Sequence, residues 1–375
     1  MTPAPPPVLV IGAGQAGLSV AHHLVRRGFQ PDTDFTVVDR GPGPGGAWQH
    51  RWESLRLGDA HRIADLPEMA AAGVTFANAP SEPPARAVVS DYYGRYERHL
   101  DLRVRRPVDV TAVSRSPEGG FAVETADAAV TFSPRVVVGA VGTWGSPRQP
   151  GVPGVDDFRG RQITTPEFVS SDKFRGLRVA VVGGGASALG FLRELEGVAA
   201  EVTWFTRRPV TFHRGESMLR AELGREAVRL QDQAARAGRP LPSIVSTTGM
   251  PMTPPIARMD RAGLLHRQAM FSRLTPDGAV LSDGGFLALD AIIWALGFDA
   301  DLGPFAPLGV SAREGVRVEH GHAVDVPGLF LAGYGPQAST IGADRGGRRT
   351  ARDIETYLGD GTWPPTPAAR RTAAG

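Results

Sequence analysis

Two copies of one local pattern constrain this chain more than any other feature: a short apolar strand, a glycine-rich turn and a helix. The first copy spans residues 9–18, LVIGAGQAGL, and the second spans residues 181–190, VVGGGASALG. In such a turn, phosphates approach the free N–H groups of a helix N-terminus, which a Cβ would block. The chain is therefore predicted to be an α/β protein with two Rossmann-like dinucleotide-binding domains.

The first copy has all the parts of a dinucleotide site. An apolar strand from Pro7 to Ile11 precedes the glycines, and a helix with apolar residues at helical spacing follows them. A second strand ends in an acidic residue about 20 positions beyond the last glycine, the spacing that brings a carboxylate to a ribose hydroxyl. The residues predicted to bind this cofactor are Gly12, Gly14, Gln15, Ala16, Gly17, Asp39 and Arg40.

The second copy differs at the end of its second strand, where two arginines replace the acidic residue. A carboxylate would repel a ribose 2′-phosphate, whereas guanidinium groups attract one. The first site therefore suits FAD and the second suits NADPH, and a hydride would pass between them. The alternative is that the arginines only reflect an Arg-rich composition. The residues predicted to bind NADPH are Gly183, Gly185, Ala186, Ser187, Ala188, Arg207 and Arg208.

Other segments are predicted to complete the cofactor sites. The stretch GGAW at 45–48 offers a second backbone approach. Arg51 and Leu55 to Leu57, in HRWESLRL at 50–57, are candidates for lining the flavin ring. Apolar strands at 135–143 and 290–298 end in small-residue turns that indicate crossings between domains, and a strand, turn and helix follow near residue 333. The residues assigned from these segments are Gly46, Trp48, Arg51, Leu57, Ala140, Gly142, Leu296, Gly297 and Gly333, and Val110, outside them, is also predicted to bind cofactor.

The two crossings enclose one contiguous insert, so the FAD-binding domain is expected to be discontinuous. It is predicted to comprise residues 1–148 and 291–360, with the NADPH-binding domain at 149–290. Residues 361–375 are rich in proline and alanine and are predicted to be a mobile tail.

Composition excludes several classes of function. A net charge of +2 gives no case for a nucleic-acid partner, and the absence of cysteine excludes a Cys pair that relays electrons to a disulfide. The nine histidines lack metal-ligand spacing, so no metal is expected. No apolar run reaches the roughly 18 residues needed to span a bilayer, and the first residues do not read as a secretory signal. A cytoplasmic protein without a membrane partner is expected, and a homodimer stays open.

Over residues 7–358 the sequence resembles the flavin-containing monooxygenase superfamily. The resemblance rests on both glycine motifs, on GGAW at 45–48, and on ALGF at 295–298, which is similar to the family's Ala-Thr-Gly-Tyr. The stretch FRGRQITTPEF at 158–168 is similar to the family signature F-x-G-x-x-x-H-x-x-x-(Y/F/W). Thr164 stands at the histidine position and is the predicted catalytic residue.

The resemblance implies an FAD-dependent, NADPH-consuming monooxygenase that oxygenates a small molecule with O2 through a flavin C4a-hydroperoxide. The reaction would be of the N-, S- or Baeyer–Villiger type. In the family the signature histidine helps to couple NADPH oxidation to oxygenation. A threonine retains a hydroxyl but cannot carry a charge or shuttle a proton. Two alternatives therefore stay open: a flavin reductase or oxidase without stable oxygenation, and a non-catalytic nucleotide sensor.

Overall fold

The computed structural model describes residues 6–59, 63–213, 217–243 and 248–363. None of the described helices is long and apolar enough to cross a membrane. These helices are α1 (Gln15–Arg26), α2 (Ala85–His99), α3 (Ala186–Leu195), α4 (Ser217–Arg236), α5 (Pro254–Arg261) and α6 (Thr340–Asp360).

The strands form two larger sheets and three small ones. In the described part of the chain they are β1 (Val8–Ile11), β2 (Phe35–Val38), β3 (Val110–Arg115), β4 (Phe121–Thr125), β5 (Val136–Gly139), β6 (Arg161–Thr164), β7 (Arg178–Val182), β8 (Glu201–Thr206), β9 (Phe212–His213), β10 (Met250–Pro251), β11 (Arg267–Ala269), β12 (Arg273–Thr275), β13 (Gly278–Val280), β14 (Phe286–Ala288), β15 (Ala291–Trp294), β16 (Val318–Glu319), β17 (His322–Ala323) and β18 (Leu329–Leu331).

The first large sheet has the order β16-β17-β18-β5-β1-β2, and its strands β18, β5, β1 and β2 are parallel. Every residue of β1, β2 and β5 is buried, because the continuous apolar strands of a parallel sheet are covered on both faces. Helices α1 and α6 pack together on one face, over a core that includes Leu18 and Phe330. The β3–β4 hairpin and the 3₁₀ helix Gly303–Leu308 cover the other face.

The second large sheet has the order β11-β8-β7-β15-β6 and is parallel throughout. One face carries α3 and its core, and the antiparallel strands β12, β13 and β14 cover the other face around Leu274 and Ala279. The predicted α/β class, with one parallel unit inserted into another, is confirmed.

The chain crosses between the two sheets after β5 and again after β15, and the two crossings pair with each other. Pro147 and Phe298 form an antiparallel bridge. Beside it, the Arg148 guanidinium bonds to the Asp299 carboxylate, with 2.8 Å between Nε and Oδ1. The two connections therefore form one short ribbon rather than two separate linkers.

The structure corrects the predicted boundary at residue 290. Strand β15, at 291–294, pairs with β6 and β7 and so belongs to the second sheet. The return to the first sheet therefore begins after Trp294. Apolar strands followed by small-residue turns look alike in the sequence whichever sheet they join, so the pattern located the crossing only approximately.

Candidate functional site

The turn between β1 and α1 forms an open cradle. An added Cβ would lie 2.3 Å from the Ala140 carbonyl oxygen at Gly12, and 1.8 Å from the Gly12 carbonyl oxygen at Gly17. Both glycines are thus required for close packing of the turn. At Gly14 a Cβ would meet nothing within 4 Å, and no side chain caps the N-terminus of α1 there. The free N–H groups face open space, which fits the phosphates of a dinucleotide.

Asp39 lies at the end of β2 and is only 7% exposed. Its carboxylate accepts hydrogen bonds from the backbone N–H groups of Ala13 and Gly41, each at 2.7 Å. The side chain thereby holds the glycine turn in place. Each carboxylate oxygen has further lone-pair capacity, so a ribose hydroxyl can be bound as well. The next residue, Arg40, forms an ion pair with Asp301 at 2.9 Å.

These elements enclose a cavity of about 280 Å³. The cavity is also lined by residues that were not among those assigned from the sequence, among them His50, Tyr93, Asp109 and Trp144. The predicted residues that line the cavity are Gly12, Gly14, Gln15, Ala16, Asp39, Arg40, Gly46, Trp48, Val110, Ala140, Gly142 and Gly333.

Gln15 is held at the cavity by two hydrogen bonds. The buried Tyr93 hydroxyl donates to its Oε1 at 2.7 Å, and its Nε2 donates to the Ala64 carbonyl at 3.2 Å. Burial raises the pKa of Tyr93 well above its usual range, so this hydroxyl keeps its proton. The amide orientation of Gln15 is therefore set before any ligand binds.

Of the residues predicted for the first site, Gly17, Arg51 and the segment Leu55 to Leu57 do not line the cavity. Gly17 packs beneath the turn, and Leu57 packs between the first-sheet core and the α3 core. The Arg51 guanidinium lies over the rings of Trp144 and Trp48, 4.2 Å and 5.4 Å from their centroids. Burial lowers the pKa of Arg51 to about 10, which leaves it cationic at neutral pH.

The turn between β7 and α3 repeats the first cradle. A Cβ at Gly183 would lie 2.1 Å from the Ala295 carbonyl oxygen, whereas a Cβ at Gly185 would meet nothing within 4 Å. Ala188 is fully buried at the third position, where helix and strand pack closely. Trp204 donates from Nε1 to the Gly183 carbonyl at 2.7 Å and fixes the turn. Ala186 and Ser187 begin α3, whose N-terminus has no side-chain cap.

Arg207 and Arg208 follow β8 and are both exposed. Neither forms an ion pair with a described residue. Arg267, at the start of the adjacent strand β11, donates from Nη1 to the Thr206 carbonyl at 3.2 Å and was missed by sequence reasoning. The Arg267 guanidinium thus reaches the residue next to Arg207, and no described carboxylate forms an ion pair with any of the three arginines. The arrangement fits an anionic group such as a 2′-phosphate.

The remaining predicted residues lie apart from both cradles. Leu296 packs on the core of the second sheet, and the Gly297 carbonyl accepts from the Arg148 N–H in the crossing ribbon. Thr164 ends β6, and its hydroxyl donates to Glu167 Oε2 at 2.6 Å. This residue caps the 3₁₀ helix Thr165–Glu167 and does not line the cavity. Its catalytic role stays a prediction.

Comparison with known proteins gives these two cradles a family context. Residues 9–223 match the family model described as pyridine nucleotide-disulphide oxidoreductase. A solved flavin-containing monooxygenase from Stenotrophomonas maltophilia is 30% identical with a TM-score of 0.76, over 94% of this chain and 98% of that chain. A ferredoxin–NADP reductase from Thermus thermophilus is 26% identical over 87% of this chain and 83% of its own length. A Baeyer–Villiger monooxygenase from Streptomyces coelicolor is 31% identical over 213 residues, which are 54% of this chain but only 38% of that enzyme.

The match to the family model spans more than half of the chain, and the similarity to the Stenotrophomonas enzyme spans nearly all of both chains. The comparisons support FAD and NADPH, the two cofactors predicted from the sequence. The chain therefore belongs to the pyridine nucleotide-disulphide oxidoreductase family, in which it is a flavin-dependent oxidoreductase of the flavin-containing monooxygenase superfamily.

Proposed function

We propose that this chain is an NADPH-consuming, FAD-dependent monooxygenase that transfers one oxygen atom of O2 to a small molecule in an N-, S- or Baeyer–Villiger-type reaction. One observation carries the proposal: the two cradles are alike but end in opposite charges. The buried Asp39 carboxylate stands at the end of the second strand of the first unit. The exposed Arg207 and Arg208 stand at the corresponding position of the second unit. The first suits FAD with its free ribose, and the second suits the 2′-phosphate of NADPH.

The proposal assigns residues up to 148 and from 295 to 360 to the FAD domain, and the insert between them to the NADPH domain. Bound FAD supplies the redox and oxygen chemistry. The chain itself binds and orients the cofactors: the uncapped N-termini of α1 and α3 would hold the two pyrophosphates, and Trp48 and Trp144 would wall the flavin cavity. The near full-length similarity to a flavin-containing monooxygenase supports oxygenation as the outcome.

A flavin reductase or oxidase is the second candidate, and Thr164 favours it. Its hydroxyl is already engaged by Glu167, so neither a free donor nor an imidazole stands where the family signature has histidine. The similarity to a ferredoxin–NADP reductase along most of the chain supports the same candidate. A chain without cysteine cannot relay electrons through a Cys pair of its own, so the acceptor would be a carrier or a quinone.

Anaerobic reduction of the purified flavoprotein by NADPH, followed by mixing with oxygenated buffer in a stopped-flow spectrometer, distinguishes the candidates. We expect a transient absorbance spectrum distinct from oxidised and reduced flavin, with a longer lifetime when NADP⁺ is present. Direct return to oxidised flavin with stoichiometric peroxide would favour the oxidase or reductase. Failure of NADPH to reduce the flavin would contradict both candidates.

The assignment of NADPH to the second site predicts the effect of removing the arginines. In Arg207→Ala and Arg208→Ala, the KM for NADPH should rise about tenfold or more, because each lost charge-assisted hydrogen bond is worth roughly 1.5–3 kcal/mol. The KM for NADH should change less than about twofold, since NADH lacks the 2′-phosphate. Arg175→Ala, which removes an exposed arginine paired with Asp172, is the matched control. Equal changes for both nucleotides would contradict this role of the arginines.

A further inference from the structure

The segment 52–57 leaves the first cavity and enters the core of the second sheet. Trp52 is 5% exposed, and its ring lies 5.2 Å from that of Phe191 on α3 and 6.0 Å from that of Phe168. An added Cβ at Gly190 of α3 would lie only 3.1 Å from the Trp52 ring. A segment that begins beside the first cavity is therefore packed directly on α3.

Polar contacts fix this packing at the end of α3. Glu194 accepts hydrogen bonds from Trp52 Nε1 at 3.3 Å and from the Ser54 hydroxyl at 2.5 Å, and its side chain is 12% exposed. The neighbouring Arg193 pairs with Asp59 at 2.9 Å. We call these five residues the interdomain clamp: Trp52, Ser54 and Asp59 on one side, and Arg193 and Glu194 on the other.

The clamp connects the two cradles by a short path. Trp48 and His50, just before Trp52, line the first cavity, and α3 begins at Ala186, directly after Gly185 of the second cradle. An α-helix rises about 1.5 Å per residue and is stiff over so few turns. Holding the end of α3 therefore holds the second cradle at one distance and orientation from the first cavity.

We propose that Glu194 is a positioning residue for hydride transfer between the two bound cofactors. The proposal rests on the function proposed above. Hydride transfer moves two electrons and one proton from NADPH to the oxidised flavin, so that NADPH becomes NADP⁺, and it needs no further reactant. Because such a step requires the reacting atoms in near-contact geometry, a displacement of about 1 Å can slow it on the order of a hundredfold. Glu194 prevents such displacement by holding α3 against the segment 52–57.

The test separates positioning from binding. In Glu194→Ala, the rate constant of anaerobic flavin reduction at saturating NADPH should fall about tenfold or more. The Kd for NADPH and the flavin content should stay within about twofold, since neither cradle is altered. Glu194→Gln keeps the side-chain volume and one acceptor oxygen. NADPH should reduce the flavin of this variant at a rate between those of wild type and Glu194→Ala. Asp172→Ala is the control, because Asp172 forms an exposed ion pair that does not reach the first sheet.

Hydrogen exchange gives a second readout that does not depend on turnover. In Glu194→Ala, the amides of residues 52–59 should exchange faster, whereas those of β1 and β7 should be unchanged. Unchanged flavin reduction, or slower reduction matched by an equally weakened NADPH affinity, would overturn the proposal. If Glu194→Ala does not fold, the rate of flavin reduction by NADPH in Glu194→Gln tests the proposal in its place. A wild-type protein that NADPH does not reduce would contradict the proposed function instead, while the exchange comparison would still test whether Glu194 holds the segment.

Discussion

At the scale of single residues, the glycines of each cradle have different roles that mutation can separate. Gly14 and Gly185 have ordinary φ values of −82° and −98°, and a Cβ there would enter open space. We expect Gly14→Ala and Gly185→Ala to keep a free energy of unfolding within about 1 kcal/mol of wild type. The new methyl groups would stand in the way of the phosphates. Gly14→Ala should therefore bind FAD at least about tenfold more weakly, and Gly185→Ala should retain FAD but bind NADPH at least about tenfold more weakly.

Flavin content, NADPH titration and urea unfolding of the purified variants check this expectation. Gly17→Ala is the informative control, because its Cβ would lie 1.8 Å from the Gly12 carbonyl oxygen and should destabilise the fold itself. If Gly14→Ala is as destabilised as Gly17→Ala, the open space at Gly14 is not a phosphate cradle.

At the scale of elements, the junction between β6 and the 3₁₀ helix Thr165–Glu167 depends on one threonine. Thr164 stands at the N-terminus of this helix, and Glu167 accepts hydrogen bonds from both the N–H and the hydroxyl of Thr164. Thr164→Val removes the hydroxyl at nearly constant volume and should lower the free energy of unfolding by about 1 kcal/mol. Thr164→Ser keeps the hydroxyl and should stay within about 0.5 kcal/mol of wild type. Urea unfolding of both variants measures the difference.

The same pair of variants tests the catalytic role predicted for Thr164. The ratio of peroxide released to NADPH consumed reports the coupling of the two half-reactions. A higher ratio in Thr164→Val, with a normal ratio in Thr164→Ser, would support that role. Equal ratios in both variants would leave Thr164 as a cap alone.

At the scale of the whole molecule, a buried histidine makes stability depend on pH. His22 on α1 is 2% exposed, and burial, with a smaller effect of His23, lowers its pKa from 6.5 to about 4. The folded state keeps His22 neutral while the unfolded state binds a proton, so its contribution is full above pH 6.5 and is lost as the pH falls toward 4. The loss amounts to up to about 3 kcal/mol. Burial also lowers the pKa of His50 and His320, and both act in the same direction.

Urea unfolding at several pH values between 7.5 and 4.5 checks this dependence. His22→Leu removes the titration and the unpartnered Nδ1 atom, so its stability should fall less steeply below pH 6.5 than that of wild type. His320→Leu, at a more exposed site, should change the slope less. Parallel curves for wild type and His22→Leu would show that His22 is not the group responsible.

Local patterns account for the parts of the site that sequence reasoning found. Each glycine turn with its strand and helix is a contiguous unit, so the identity of Gly12, Gly14, Gly183 and Gly185 was sufficient to predict both cradles. The charge at the end of the second strand of each unit could likewise be predicted from the sequence. The further contacts of these residues were not predictable: Asp39 accepts a hydrogen bond from the glycine turn of its own unit, and the pattern shows only its spacing.

By itself, the sequence determined the two dinucleotide cradles and their order along the chain, because residues close in sequence make them. Only the tertiary structure decided that β15 joins the second sheet and that Trp52 packs on α3. It alone brings Arg267 beside Thr206 and Tyr93 to Gln15. Each of these contacts joins segments far apart in the chain, and an apolar strand or a tryptophan carries no mark of the surface that buries it. The relation between the two cofactor sites is therefore a property of long-range packing.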